Sequence, residues 1–533
     1  MNAAHSKRLM RGAWILSVAG LIAKLLSAVY RVPYQNLVGN TGFYVYQQIY
    51  PLYGIIMTMA LTAGPVFVAK VAVTTPDLVT RQRTLKRLAG VLAIWGGVVF
   101  IGGFAGAGII ASWMGDARLA PLVRVVGCMG LTLPLLAMGR GYFQAQYSMT
   151  ETAWSQVVEQ VVRVGVILTV AVIAVHASWS HYLTGTWAMT GGVLGALAAA
   201  AVLAISWLRQ RAKRSRPTDF GAGQARTQVP SWSHLMWQTF SEGGALVLYA
   251  AILLILQLVD SFTVAKSLVG SGMTMSAAEN LKGIYDRGQP MVQLGLVVAT
   301  ALTQSLLPPL SGAHQQHADH TFARTGTVLV HLSVAVSLLA TVGLCAEMPL
   351  LNRGLFGDTD GTLVLQVYML IIAVTAAINA CASILQSQDL VRVPTIAILA
   401  GVLVKALVNS YFVRHWQTAG ASWATVLGLG VTMMVIYLAL DPLIRRRIWS
   451  GGFGWRLLVV AAGMGAVVWT GVTLTGTVGR VGAVIWAILW AVVGLIVAVA
   501  LAAWTGLFTR REVLALPVGA RILRMTKHLR KGE

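Results

Sequence analysis

The chain has 533 residues, 57% of them hydrophobic and only 11% charged, with a formal net charge of +23 and a mean hydropathy of +0.72. Soluble domains carry roughly 25% charged residues, so this composition excludes a soluble globular protein. Long unbroken apolar runs exclude a membrane β-barrel, whose strands are short and alternating.

Fourteen spanning helices are predicted, an all-α polytopic membrane protein in which each helix is long enough for a hydrocarbon core of roughly 30 Å. Helix 1 (12–30) carries Lys24 near its middle, with Arg31 at its outer end. An ammonium group at Lys24 costs roughly 2.5–3.5 kcal/mol on insertion scales. Lys24 also interrupts the apolar region and no A-x-A site follows, so no cleavable signal is read here. Helix 2 (47–72) contains Pro51, Pro65 and, toward the cytoplasm, Lys70. Helix 3 (88–113) has Gly102 and Gly106 at small-xxx-small spacing, as helix 6 has Gly191 and Gly195, a pattern for close helix packing. Helix 4 (120–142) carries Arg124 toward the outer side. Helix 5 (154–176) holds Glu159 and Arg163, four residues apart and able to pair on one face. Helix 6 (186–208) ends at a basic linker, 209–239, punctuated by Pro217, Gly221, Gly223 and Pro230.

Helix 7 (240–265) contains Asp260, and helix 8 (286–308) opens on Asp286 and Arg287 and carries Pro290 and Pro308. The loop HQQHADH (314–320) reads as solvated rather than as a metal site. After helix 9 (326–348) comes GDTDG (357–361), whose D-x-D suits a divalent cation with a sugar phosphate, or an ordinary Asp/Gly turn. Helix 10 (361–384) leads to helix 11 (392–413), with Lys405 a lone cation at its middle, and to helix 12 (419–440). Helices 13 (455–475) and 14 (481–505) are apolar through their middles.

Most of the 40 Lys and Arg fall in clusters at Lys7–Arg11, Arg81–Arg87, Arg209–Arg226, Arg445–Arg456 and Arg510–Lys531. An even helix count places all of these on one side, with both termini cytoplasmic by the positive-inside rule. The basic tail then rests on anionic headgroups of membrane lipids, and no nucleic acid is expected. Cys128, Cys345 and Cys381 have no metal or redox spacing. No phosphate loop appears, so the chain is not itself an ATPase. No cofactor or metal is expected.

The two halves resemble each other. NLVG (36–39) matches SLVG (267–270), YQQIYP (46–51) matches YDRGQP (285–290), FQAQ (143–146) matches LQSQ (385–388) and TWA (186–188) matches SWA (422–424), in the same order. Six helices per repeat is even, so both halves enter the membrane alike, as in transporters built from parallel repeats. The expected organisation is an N-terminal lobe (1–208), the linker (209–239), a C-terminal lobe (240–440), two further helices (441–506) and a basic tail (507–533). Pro51, Pro65, Pro290 and Pro308 fall at matching ends of helices 2 and 8, where they interrupt the helix and suit the flexing of alternating access.

In the register of the helix 4 and 10 match, Arg163 falls on Lys405. Arg31, Arg287 and Lys70 lie near enough to helix ends to snorkel to water, but Lys24, Arg163 and Lys405 do not. Glu159, Asp260 and Asp286 are too few to neutralise these cations; Asp260 is placed to reach Lys24. A cationic cavity with an anion from outside is the natural complement.

AGLIAKLLSAVYRVP (19–33), GFYVYQQIYPLYG (42–54), TAGPVFVAK (62–70), YFQAQYSMTETAWSQVVEQVVRV (142–164) and YDRGQPMVQLGLVVAT (285–300) carry a family resemblance. The chain resembles the MOP (multidrug/oligosaccharidyl-lipid/polysaccharide) flippase superfamily, in its polysaccharide-transport branch, and looks most like the SpoVB/YtgP proteins, relatives of the lipid II flippase MurJ. The resemblance implies a MOP/MATE-like fold in a bacterial cell membrane. The implied job is moving undecaprenyl-diphosphate-linked glycans, lipid II first, from the cytoplasmic to the outer leaflet, with cell-wall synthesis machinery as a partner. It also implies that Lys24, Arg31 and Arg287 contact the diphosphate. Two departures stand out: Arg31 is followed by Val32 where MurJ has an Arg–Asp pair, and Lys24 stands where MurJ has arginine. Capsule, exopolysaccharide or teichoic-acid precursors are alternative cargoes. A multidrug/cation antiporter, a membrane glycosyltransferase using Asp358 and Asp360, and a scaffold are alternative functions.

Overall fold

The computed structural model of the chain describes residues 16, 18–23, 25–75, 77–213, 229–509 and 512–513. Lys24, the cluster Lys7–Arg11, residues 214–228 of the basic linker and most of the tail lie outside the described residues. Among the described residues there is no strand, and twelve helical spans are long and apolar enough to cross a membrane. Two of these spans are hairpins, which brings the number of passes to the fourteen expected. The chain packs as two compact units, Met1–Asp286 and Arg287–Glu533.

In the first unit, residues 18–23 and 25–29 are helical and lead into α1 (Arg31–Thr58). The expected connection between helices 1 and 2 is itself helical except at Gly39, where φ is 72° and ψ −179°. That backbone state is open essentially only to glycine. The two arms then fold back on each other: Tyr30 and Tyr46 hydroxyls lie 2.9 Å apart and Tyr34 packs on Tyr46. A single glycine therefore replaces a loop. A π turn at Met59–Ala63 joins α1 to α2 (Gly64–Thr74), just ahead of Pro65, which has no N–H to donate.

α3 (Leu78–Ala105) begins at Asp77, whose carboxylate caps it by accepting from the Thr80 N–H at 2.9 Å. α4 (Ala107–Trp113), α5 (Ala120–Cys128) and α6 (Leu133–Ala145) follow. α7 (Met149–His176) and α8 (His181–Lys213) pack closely, because Gly191 and Gly195 sit against the backbone carbonyls of Arg163 and Glu159. The small-xxx-small spacing thus marks the helix contact beside the two charged residues. Helix 7 of the sequence reading is segmented into α9 (Trp232–Gln238), a π turn at Thr239–Gly243, α10 (Gly244–Ala250) and α11 (Ile252–Gly270). Between the helices expected at 240–265 and 286–308 lies a further helix, α12 (Met275–Asp286), which packs on α1.

The second unit holds α13 (Gly288–Gln315), α14 (Asp319–Phe356), α15 (Thr362–Ser387), α16 (Arg392–Ala439), α17 (Pro442–Ile448), α18 (Phe453–Thr475) and α19 (Arg480–Thr505). α16 is the second hairpin, reversing at Trp416 and at Gln417, whose φ is 52°. Its arms are in register, with Gly401 against Gly428 and Lys405 against Thr425. α19 turns Ile485, Leu489, Val492, Leu495 and Ile496 outward, the apolar face expected of a helix bathed in lipid. Beyond it, Glu512 accepts a 2.6 Å bond from His331 on α14, whose other ring nitrogen faces the Ile448 carbonyl at 2.9 Å.

Candidate functional site

Tyr46, Tyr50 and Tyr53 are spaced by four and three residues, so they share one face of α1. Tyr30 and Tyr34 from the other arm meet that face. Two arginines lie among these rings. Arg31 is fully buried, and its guanidinium carbon stands 4.1 Å from the Tyr50 ring centroid. None of its three side-chain nitrogens makes a hydrogen bond among the described residues. Arg163, 2% exposed, reaches in from α7, donating to the Tyr53 hydroxyl at 2.7 Å and to Ser27 at 3.1 Å. Its guanidinium also lies 5.2 Å from the Tyr30 ring centroid.

Neither arginine has a carboxylate within ion-pair distance among the described residues. Phenol rings offer cation–π attraction and hydroxyls offer dipoles, but neither cancels a full charge. The cluster therefore holds two buried positive charges that an anion would compensate.

Glu159 does not pair with Arg163. It turns to Arg140 on α6, 2.5 Å away, and both side chains are buried. Arg140 also donates to Ser155 at 3.0 Å and to the Ala60 carbonyl, inside the π turn, at 3.2 Å. On α7 the two charges diverge to neighbours on different helices, although their spacing allows a contact. Asp286 pairs with Lys282 on α12 at 2.5 Å, and Asp260 accepts from Tyr285 at 2.9 Å. Lys70 is exposed and pairs with Glu242 at 2.8 Å; Arg124 is also exposed. Those two do not join the arginine cluster. Lys24 lies outside the described residues.

In the second unit, Arg287 stands immediately before α13 with its side chain 2% exposed. One terminal nitrogen donates to Asp358 Oδ1 at 2.6 Å and to Asn352 Oδ1 at 3.0 Å; the other donates to Asp358 Oδ2 at 2.8 Å. This is the bidentate fork that suits guanidinium and carboxylate. Lys405, fully buried in α16, donates to the Thr425 hydroxyl at 2.7 Å. Sequence reasoning missed Arg140 and Lys282 entirely and met Asp358 only in the D-x-D motif, as a turn or, with Asp360, as an acid of the alternative glycosyltransferase. The tyrosine spacing on α1 was the one local signal for the cluster's shell.

Partial burial alone pushes the Asp358 carboxyl up, but the Arg287 bonds and the Asp360 N–H outweigh it and hold the group below its ordinary value. A depressed carboxyl contributes stability above its unfolded value and loses it as pH falls through the folded one. The melting-temperature gap between the parent and Asp358→Asn should therefore stay level from neutral pH to about pH 4 and shrink only in stronger acid. A gap that already closes between about pH 7 and 6 would assign it to another group.

The family model for polysaccharide biosynthesis proteins matches residues 9–314. The chain belongs to that family. A relative within reach of the whole chain is the uncharacterized membrane protein YabM of Bacillus subtilis (strain 168), 33% identical over 530 residues, covering 98% of this chain and 97% of YabM. The lipid II flippase MurJ of the same organism is 23% identical over 475 residues, covering 85% of each chain. Among solved structures, a lipid II flippase MurJ in an inward closed conformation superimposes with a TM-score of 0.69 at 11% identity, over 92% of this chain and 98% of that one. An inward-facing MATE family multidrug resistance transporter of the MOP superfamily gives 0.60 at 14% identity, over 82% and 98%. The fold of this polysaccharide biosynthesis family member is thus MurJ- and MATE-like, as its sequence led us to expect, and it is a multi-pass membrane protein.

Proposed function

We propose that the chain is a flippase for undecaprenyl-diphosphate-linked glycan precursors, lipid II first, and not an enzyme. It sits in the bacterial cell membrane with both termini cytoplasmic, moves its cargo to the outer leaflet by alternating access, and serves the cell-wall synthesis machinery. The observation that carries this reading is the pair of buried arginines, Arg31 and Arg163, with no carboxylate partner among the described residues. A diphosphate supplies the missing charge and accepts charge-assisted hydrogen bonds from guanidinium groups. Lys24, seven positions before Arg31 in the sequence, and Arg287 and Lys405 are proposed as further cargo-binding cations. The relative's name, lipid II flippase, supports the cargo. An antiporter for cationic drugs would favour several buried free carboxylates; here Glu159 and Asp286 are held by cations and Asp260 by Tyr285, and among the described residues Glu347 is the buried carboxylate with no partner in ion-pair distance.

An inside-negative potential would assist outward movement of about two negative charges by roughly 4–5 kcal/mol per 100 mV. The test is a strain whose only lipid II flippase can be switched off. The parent chain is expected to restore growth and the appearance of lipid II on the outer leaflet. Lys24→Ala, Arg31→Ala, Arg163→Ala, Arg287→Ala and Lys405→Ala, at equal membrane abundance, are expected to fail. Absence of rescue by a well-inserted parent would move the cargo to another lipid-linked glycan. Rescue by every variant would remove the cationic site.

A further inference from the structure

Arg287 is not an open cation: Asp358 occupies both of its terminal nitrogens. The way the pair is held separates the two partners. Asn352, fully buried on α14, keeps one bond to Arg287 through its oxygen at 3.0 Å. Through its nitrogen it holds the Asp360 carbonyl at 2.7 Å. Phe356, one turn further along α14, lies under the guanidinium at 4.8 Å. Arg287 therefore has a neutral seat that does not depend on Asp358.

Asp358 has the opposite character. Its side chain is 37% exposed, and within its own turn it accepts a hydrogen bond from the Asp360 N–H at 3.0 Å. The turn is bracketed by Gly357 at φ 90° and Gly361 at φ 69°, both in the left-handed region that glycine adopts freely. The turn itself is anchored to Asn352 through the Asp360 carbonyl, so it is the partly exposed carboxylate that can swing away by side-chain rotation while the guanidinium keeps its bond to Asn352.

Resting on the flippase reading above, we propose that Asp358 is an internal counter-anion, displaced from Arg287 by the diphosphate, and that it sets the selectivity of this cation for diphosphate lipids. A membrane phospholipid carries a phosphodiester with a single negative charge, so exchanging the carboxylate for it gains no charge at the fork. A diphosphate carries more charge and more acceptor oxygens and wins the exchange. Because ordinary phospholipids surround the protein in great excess, a built-in competitor keeps them from the fork. On cargo release Asp358 returns and Arg287 is not left buried and unpaired.

The experiment measures binding of farnesyl diphosphate to the full-length chain in detergent micelles, with short-chain phosphatidylglycerol as competitor. The parent is expected to bind the diphosphate and to be indifferent to phosphatidylglycerol. Asp358→Asn and Asp358→Ser should bind it about tenfold more tightly and become sensitive to the competitor. Asp358→Glu, which restores the charge, should return toward the parent, and Arg287→Gln should bind weakly. If both neutral variants remain folded at the temperature of the assay yet bind no tighter than the parent, Asp358 is a structural partner only and the proposal falls. Unchanged binding in Arg287→Gln also overturns it, while the rescue assay continues to judge the flippase reading separately. A parent and neutral variants that all bind no farnesyl diphosphate would overturn the proposal, and the rescue assay alone would then decide the flippase reading.

Discussion

Truncating Arg140 to alanine is expected to destabilise the protein by about 3–5 kcal/mol, the cost of stranding one partner of a buried ion pair. Arg140 is fully buried and holds three groups at once: Glu159 at 2.5 Å, Ser155 at 3.0 Å and the Ala60 carbonyl at 3.2 Å. Removing it leaves Glu159, 1% exposed, with neither of its oxygens bonded by any described residue, because Oε1 has no partner even in the intact protein. It also releases the carbonyl in the π turn that joins α1 to α2. The check is thermal unfolding in detergent, followed by tryptophan fluorescence. The double variant Arg140→Ala with Glu159→Gln should recover part of the loss, since its buried group is neutral. A loss under about 1 kcal/mol would mean that water reaches Glu159 and screens the pair.

The same pair shows where sequence reading stops. Spacing on a helix tells which residues share a face, so Glu159 and Arg163 were natural partners. Spacing carries no record of what other helices bring to that face. Arg140, nineteen positions earlier, supplies a better-placed cation, and Arg163 is taken up by Tyr53 and Ser27. Arg287 and Asp358 are separated by 71 positions, beyond any periodic rule. What did carry over is hydropathy, which needs no partner: the passes are found because each must be apolar on its own. Even there, α12 escaped as a helix because it buries Glu279, Lys282 and Asp286 among Ala278, Ile284 and Tyr285, which breaks its apolar stripe. The turns at Gly39 and Gln417 lie in the connections expected between helices 1 and 2 and between helices 11 and 12, but each closes on one or two residues, so the helices run on beyond their apolar stretches. Arg163 and Lys405 were matched by repeat register, and both are buried; yet one rests among phenols and the other on a threonine. Register can find corresponding positions but does not make their surroundings alike.

Arg31 separates stability from function. Its side chain is fully buried, none of its three nitrogens is hydrogen-bonded by a described residue, and its main contact is the Tyr50 ring. A buried charge with so little compensation costs the folded state several kcal/mol, whereas methionine fills similar space with no charge to desolvate and adapts to aromatic neighbours. Arg31→Met is therefore expected to raise stability, by roughly 1–4 kcal/mol, read as a higher melting temperature in detergent. The same variant is expected to lose transport, by at least about tenfold in outer-leaflet exposure of cargo, because the diphosphate loses one of the two guanidinium donors of the tyrosine cluster. Most core substitutions lower stability and activity together, so the opposite signs are the discriminating result. A melting temperature that falls with activity would make Arg31 a structural residue held by its tyrosines. A rise with transport intact would leave Arg163 as the cluster's working cation.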